Sequence, residues 1–309
     1  MTGTALALVV GAAVLHAAWN ALAKQGRDPL AFLWSSITLA GLWLLPFALW
    51  WLWVDGLPAQ ALPFVSTTIV LHAFYFYALG RAYRSGEFSL VYPIARGLGV
   101  ALVPVLALFL FDERPSPLGA AGVALVVLGI VGLHLAPGAL GTAVLHPGVG
   151  AGTWWFERGG FGRAVRQATR RARPEWWALV TGLTIAAYSL VDKAGVARLH
   201  PVVYIGLLGF GSVLLLLPAV VAKREALRRE WATNWRAILV ASTMNLTSYL
   251  LVLFAFRLSK VGYVVAAREL SIVLSAIIGA RWLGEGRLGP RLAGAAVVLA
   301  GVACVAAAR

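Results

Sequence analysis

Charge is the scarcest ingredient of this 309-residue chain: Asp, Glu, Lys and Arg make up 12% of it, about half the share usual in a soluble domain. Acid is scarcer than base, with 12 Asp and Glu against 26 Lys and Arg. A single cysteine, Cys304, excludes an internal disulfide. There is no phosphate-binding glycine loop, no His-Glu-x-x-His and no Cys/His cluster. Nothing therefore points to ATP-driven work by this chain alone or to metal chemistry, and neither a cofactor nor a metal is expected.

What fills the sequence instead is apolar residue, 61% of the total. That much cannot hide inside a globule of this size, so most of it must face lipid. An ordinary cytosolic enzyme, a disordered tail and a nucleic-acid module are excluded together. Ten stretches have the length needed to cross a bilayer, at 4–24, 30–53, 62–82, 88–110, 117–137, 176–194, 201–222, 236–256, 261–283 and 289–307. Each is expected to be helical, because an isolated strand leaves its backbone unsatisfied in lipid. The first stretch lacks the basic start of a signal peptide and is read as a span.

The longest gap divides the spans five and five. A shift of 172 positions superposes Arg96 on Arg268, Glu113 on Glu285, Gly122 on Gly294 and Gly129 on Gly301; a shift of 169 puts Trp19, Asn20 and Lys24 on Tyr188, Ser189 and Lys193. Since five is odd, the second half enters the membrane from the opposite side, the inverted-repeat plan of secondary transporters. The expected organisation is a first repeat over 1–137, a basic cytoplasmic linker over 138–175 and a second repeat over 176–309.

Lys and Arg set the orientation. One face carries 18 of them and the other 6, with Arg96 and Arg268 inside spans. The richer face is expected in the cytoplasm, which places both termini outside the cell (inner) membrane. The positive charge then belongs to topology and needs no nucleic acid. Arg163, Arg166, Arg170 and Arg173 share one helical face in the linker and read as a solvated topology signal or as a helix touching anionic headgroups.

Ten helices in two homologous halves resemble the drug/metabolite transporter superfamily, in its EamA-like branch. The resemblance rests on HAAWNALAK (16–24) and on the ends of the halves, DERPSPLGAAGVALVVLGIVG (112–132) and GEGRLGPRLAGAAVVLAGVA (284–303). It implies a transporter without covalent chemistry, whose central cavity is lined by spans 1, 3, 4, 6, 8 and 9. It also implies cytoplasmic termini, against which stands the count of 18 to 6.

Ionisable groups at bilayer depth are costly and default to function. Arg96 and Arg268 lie inside spans 4 and 9, and Glu269 adjoins Arg268. One glutamate cannot neutralise two arginines, and guanidinium suits a carboxylate or phosphate. The cavity is therefore expected to take an anionic or zwitterionic small molecule; the structural alternative is an Arg96–Glu269 pair with Arg268 held by carbonyls or water. His16, Asn20 and Lys24 form a polar stripe on span 1, with Trp19 beside them. His72, Tyr92, Tyr188, Asn245 and Tyr249 complete the candidate lining, and Glu269 and His16 are the candidates for carrying a proton. Asp192 and Lys193 read as a rim pair, and Glu113 and Glu285 as caps of the helices that follow them. The leading function is transport by alternating access, as a monomer or homodimer in the lipid bilayer. The alternatives are a flippase or flippase subunit for a lipid-linked polar headgroup, and an intramembrane enzyme with His16 or His72 as base.

Overall fold

The computed structural model describes residues 1–85, 88–135, 174–281 and 288–308. The linker, Glu285 and the side chains of Lys24 and Tyr92 lie outside what is described. Among the described residues the regular elements are all helical: α1 (Gly3–Gln25), α2 (Pro29–Asp55), a 3-10 turn (Ala59–Ala61), α3 (Leu62–Ser85), α4 (Phe88–Phe111), α5 (Pro117–Leu135), α6 (Pro174–Val196), α7 (Pro201–Val221), α8 (Arg224–Leu258), α9 (Val261–Arg268), α10 (Leu270–Arg281) and α11 (Leu288–Ala307). Six stretches, in α1, α2, α3 with its leading turn, α6, α7 and α8, are long and apolar enough to cross a membrane by length and composition.

Local chemistry sets several boundaries. Asp28 caps α2 by accepting from the N–H groups of Leu30 and Ala31 at 3.1 and 3.2 Å, with Pro29 in the first turn. His200 caps α7 in the same way, accepting from Val202 N at 3.3 Å ahead of Pro201. Pro46 and Pro218 sit inside these two helices. Both proline pairs are separated by the 172 positions that relate the halves.

Two expected spans differ from the structure. The eighth begins at Arg224, where an exposed basic stretch runs into the apolar helix through a kink at Asn234 (φ −120°, ψ 17°). The ninth, read as one helix over 261–283, is interrupted at Glu269: Glu269 N donates to Ala266 O at 3.1 Å and Ile272 N to Glu269 O at 2.8 Å. These are i→i−3 bonds, so one 3-10 turn tightens the helix where its charges lie, a form that often marks a functional hinge.

Helices of the first half pack mainly against helices of the second. α1 packs on α8 and α3 on α6; α2 packs on α8 and α3 on α7; α2 meets α7, and α5 meets α11. α5 and α11 touch backbone to backbone. A Cβ on Gly122 would lie 2.8 Å from Gly301 O, and one on Gly129 would lie 2.8 Å from Gly294 O. Gly122 thus faces Gly301 while Gly129 faces Gly294, so the two helices run antiparallel, and only glycine permits the approach.

The ends of the bundle are tied. The Met1 ammonium donates to the carbonyls of Ala306 and Ala308, which puts both chain ends on one side. At the opposite end the buried Glu230 accepts from Asp28 N at 2.9 Å and from Asn234 Nδ2 at 2.6 Å. Trp50, Trp53, Trp176 and Trp235 are exposed, as residues of an interfacial belt are.

Candidate functional site: a polar hollow between the halves

Helices α1, α2, α3, α6, α7, α8 and α9 enclose a hollow whose unfilled space, mouth included, is about 570 Å³. His16, Trp19, His72, Tyr188, Asn245, Tyr249 and Arg268 line it. Seven of the residues singled out by the sequence therefore line one hollow. Ile37, Ala40, Gly41 and Leu44 of α2 and Ile205, Leu208 and Gly209 of α7 add an apolar part to the lining. The sequence reading left these two helices out of the lining, because apolar residues on a membrane helix carry no signal that separates cavity from lipid.

Arg96 and Glu269 stand behind the wall rather than in it. The guanidinium grips the carboxylate with two bonds, Nη2 to Oε1 at 2.5 Å and Nε to Oε2 at 3.2 Å, and neither residue is more than 2% exposed. Bidentate, charge-assisted geometry of this kind makes a strong hydrogen-bonded pair. The 3-10 turn at Glu269 lets two consecutive charged residues do different jobs, one engaging α4 and the other facing the hollow. Arg268 donates to Tyr188 Oη through Nη2 at 3.4 Å. Its Nε and Nη1 have no hydrogen-bond acceptor among the described residues, although the side chain is 1% exposed.

The stripe on α1 splits in a similar way. Trp19 Nε1 donates to His16 Nδ1 at 3.2 Å, so that nitrogen is bare and the neutral ring carries its proton on Nε2. Asn20 is fully buried and turns its amide back to His16 O at 2.7 Å. It is not among the residues that line the hollow.

Asp192 corrects the expectation of a rim pair with Lys193. It is fully buried and accepts from Thr68 Oγ1 at 2.5 Å, from Tyr204 Oη at 2.7 Å and from Tyr249 Oη. Its Oδ2 lies 3.9 Å from His72 Nε2. Tyr204 and Thr68 were missed by the sequence reading, having no spacing that ties them to a site. Gly195 makes the tyrosine's approach possible, since a Cβ there would lie 2.3 Å from its ring. The interior charge balance changes with this residue: two arginines now face two carboxylates, Glu269 and Asp192.

Lys193 points elsewhere. Its Nζ donates to the carbonyls of Phe256 and Ser259 at 2.6 and 2.8 Å, satisfying the C-terminal end of α8, and sits 3.3 Å from Glu113 Oε1. Glu113 Oε2 in turn accepts from Val261 N at 2.7 Å. Glu113 therefore caps α9, not the helix that follows it, because the loop ahead of α5 folds against the α8–α9 turn. Lys260 Nζ and Tyr263 Oη tie down the same loop through Arg114 O and Ser116 N at 2.5 and 2.9 Å.

Long apolar helices packed around a hollow with a few buried polar groups are those of a multi-pass membrane protein by length and composition. Comparison with known proteins is consistent with this. Residues 173–307, the second half of the chain, match the model of the EamA-like transporter family. None of the curated proteins compared with the chain matches it. Solved structures do, among them one described as "Crystal structure of protein", which aligns with a TM-score of 0.64 at 14% identity over 98% of this chain and 96% of that chain. At that identity the likeness speaks to the fold alone.

Proposed function

We propose that this chain is a secondary active or facilitative transporter that moves a small anionic or zwitterionic metabolite, of the amino acid or organic acid type, across the cell (inner) membrane by alternating access. The observation that carries the reading is Arg268: a fully buried guanidinium in the cavity wall, with two N–H-bearing nitrogens lacking an acceptor among the described residues. A substrate carboxylate is a group that would accept from one of them, the two N–H directions diverging around the guanidinium.

The second buried acid favours the zwitterion over the plain anion. Arg96 and Glu269 neutralise each other, which leaves Arg268 positive on one side of the hollow. Asp192 is negative behind His72 and Tyr249 on another. A substrate with separated charges matches that field.

Ten spans in two inverted five-helix repeats fit the packing. Each first-half helix meets second-half helices in mirrored pairs, and the glycine contacts exchange partners as a two-fold relation requires. In this reading the two halves rock about the hollow, and the 3-10 turn at Glu269 serves as a flexible joint.

The test is uptake into proteoliposomes of a mixture of radiolabelled L-amino acids, with labelled succinate in parallel. The wild type moves label from the amino acid mixture, and Arg268→Gln lowers that uptake about tenfold or more, the worth of a charged hydrogen bond. Equal uptake by Arg268→Gln rejects the site, and no uptake of either label by the wild type rejects the substrate class.

A further inference from the structure

A carboxylate that is fully buried, close to an imidazole and, among the described residues, without a Lys or Arg partner is a place to look for a proton. Asp192 is such a group. The groups that face it are Thr68 and His72 from α3, Tyr204 from α7 and Tyr249 from α8. Tyr188 lies one turn back on its own helix. Lys193, its neighbour in sequence, is turned away to Glu113 and the α8 carbonyls. Arg96 of α4 is held by Glu269, and Arg268 of α9 reaches Tyr188.

The hydrogen bonds fix which nitrogen of His72 is available. Thr68 Oγ1 gives its only proton to Asp192. It can therefore only accept from His72 Nδ1, 3.0 Å away, and the Thr68 carbonyl, 3.1 Å from the same nitrogen, can only accept as well. Nδ1 must carry the hydrogen. The neutral ring then presents a bare Nε2 lone pair toward Asp192 Oδ2 at 3.9 Å, an open berth for one proton between a base and a carboxylate.

We propose that His72 and Asp192 together form a proton-binding site that couples proton movement to the substrate cavity. The inference rests on the transport reading above and adds the coupling ion. One proton taken from the aqueous phase binds the Nε2 lone pair and makes an imidazolium beside the carboxylate; no other bond is made or broken. Coupling follows from shared side chains. His72 and Tyr249 line the hollow and also touch Asp192. The carboxylate holds three other helices, α3, α7 and α8, onto α6 through charge-assisted bonds. Drawing Asp192 toward His72 reweights those bonds at one end of the bundle while it alters the charge that the substrate meets.

The experiment uses the full chain in two measurements. Infrared absorption is recorded across an acid titration of wild type, Asp192→Asn, His72→Gln and, as a control, the exposed Asp55→Asn. The wild type and Asp55→Asn show a proton-dependent band of carboxyl and imidazole origin that both site variants lose. His72→Gln keeps an amide for the Thr68 carbonyl and leaves the three hydroxyl donors on Asp192, so it reports even if Asp192→Asn fails to fold. Proteoliposomes are then given the labelled L-amino acid mixture under an imposed pH gradient. The wild type accumulates label beyond equilibrium, whereas His72→Gln does not. Gradient-driven accumulation by the variant equal to that of the wild type, or a titration unchanged by both substitutions, overturns the proposal. If the wild type moves no label, the transport reading fails, and the titration alone still decides whether the proton binds here.

Discussion

Arg96 and Glu269 are brought side by side from α4 and from the break between α9 and α10, with Nη2 and Oε1 2.5 Å apart and both side chains out of solvent. Removing one partner of such a pair strands the other, at a cost of about 3–5 kcal/mol. Arg268, with one long bond to Tyr188, strands nothing when removed. Arg96→Gln should therefore unfold at a markedly lower temperature than wild type, while Arg268→Gln should unfold near it and lose uptake. Thermal unfolding of the two purified variants checks this; equal loss of stability in both would show that the guanidinium groups have equivalent structural roles.

Lys193 and Glu113 join two helix ends: the ammonium closes the C-terminus of α8, the carboxylate opens α9, and 3.3 Å separates the two groups. Because each partner also bonds backbone, the single changes Lys193→Met and Glu113→Gln should destabilise, and the double change should cost less than their sum. A coupling of about 0.5–3 kcal/mol is expected for residues in contact. A double-mutant cycle in unfolding measures it, and strict additivity would mean that the charges do not sense each other.

How far the sequence carried the structure depended on the kind of signal each feature leaves. Apolar run length located the helices, because lipid enforces it. Buried charge located Arg96, Arg268 and Glu269, because its cost makes it rare. Asp192 was misread because a charge close to a helix end looks like a boundary residue; only the approach of Thr68, Tyr204 and Tyr249 buries it. The break at Glu269 left no proline or glycine in the chain to announce it. Glu113 was recognised as a capping residue, but the helix it caps lies 148 positions away, which no local pattern encodes.

The α5–α11 crossing gives a matched pair of substitutions. A Cβ on Gly129 would lie 2.7 Å from Val298 N and 2.8 Å from Gly294 O, whereas at Gly132 the nearest atom, Gly294 Cα, is 3.7 Å away. Backbone cannot yield as a flexible side chain can, so Gly129→Ala should cost about 1–3 kcal/mol, as overpacking does. Gly132→Ala should change stability little or raise it slightly by helix propensity. Unfolding temperatures of the two variants decide; equal values would mean that the helices separate without cost.

The 18-to-6 asymmetry of Lys and Arg leads us to propose that both termini lie outside. The Met1 contact with Ala306 and Ala308 requires that both termini share a side. A reporter fused after Arg309 and another fused before Met1 should both read extracytoplasmic. A cytoplasmic signal from both would reverse the whole assignment.

His200 offers a pH test at the membrane surface, outside the spans. Its Nδ1 caps α7 by accepting from Val202 N, and its ring stacks on Trp51 with centroids 4.2 Å apart. Burial first, and Arg257 second, hold the imidazole below its ordinary range of about 6.5. An imidazole harder to protonate in the folded chain than in the unfolded one means that the unfolded chain binds more protons just below that value. The stabilisation is then fully present above about pH 6.5 and is lost as pH falls through the folded value. The sign agrees with the geometry, since a protonated Nδ1 cannot accept from Val202. His200→Asn keeps a capping acceptor without a titrating group. Unfolding followed from neutral to mildly acid pH should show a decline in the wild type that is shallower in His200→Asn, and parallel curves would show that this cap does not sense pH.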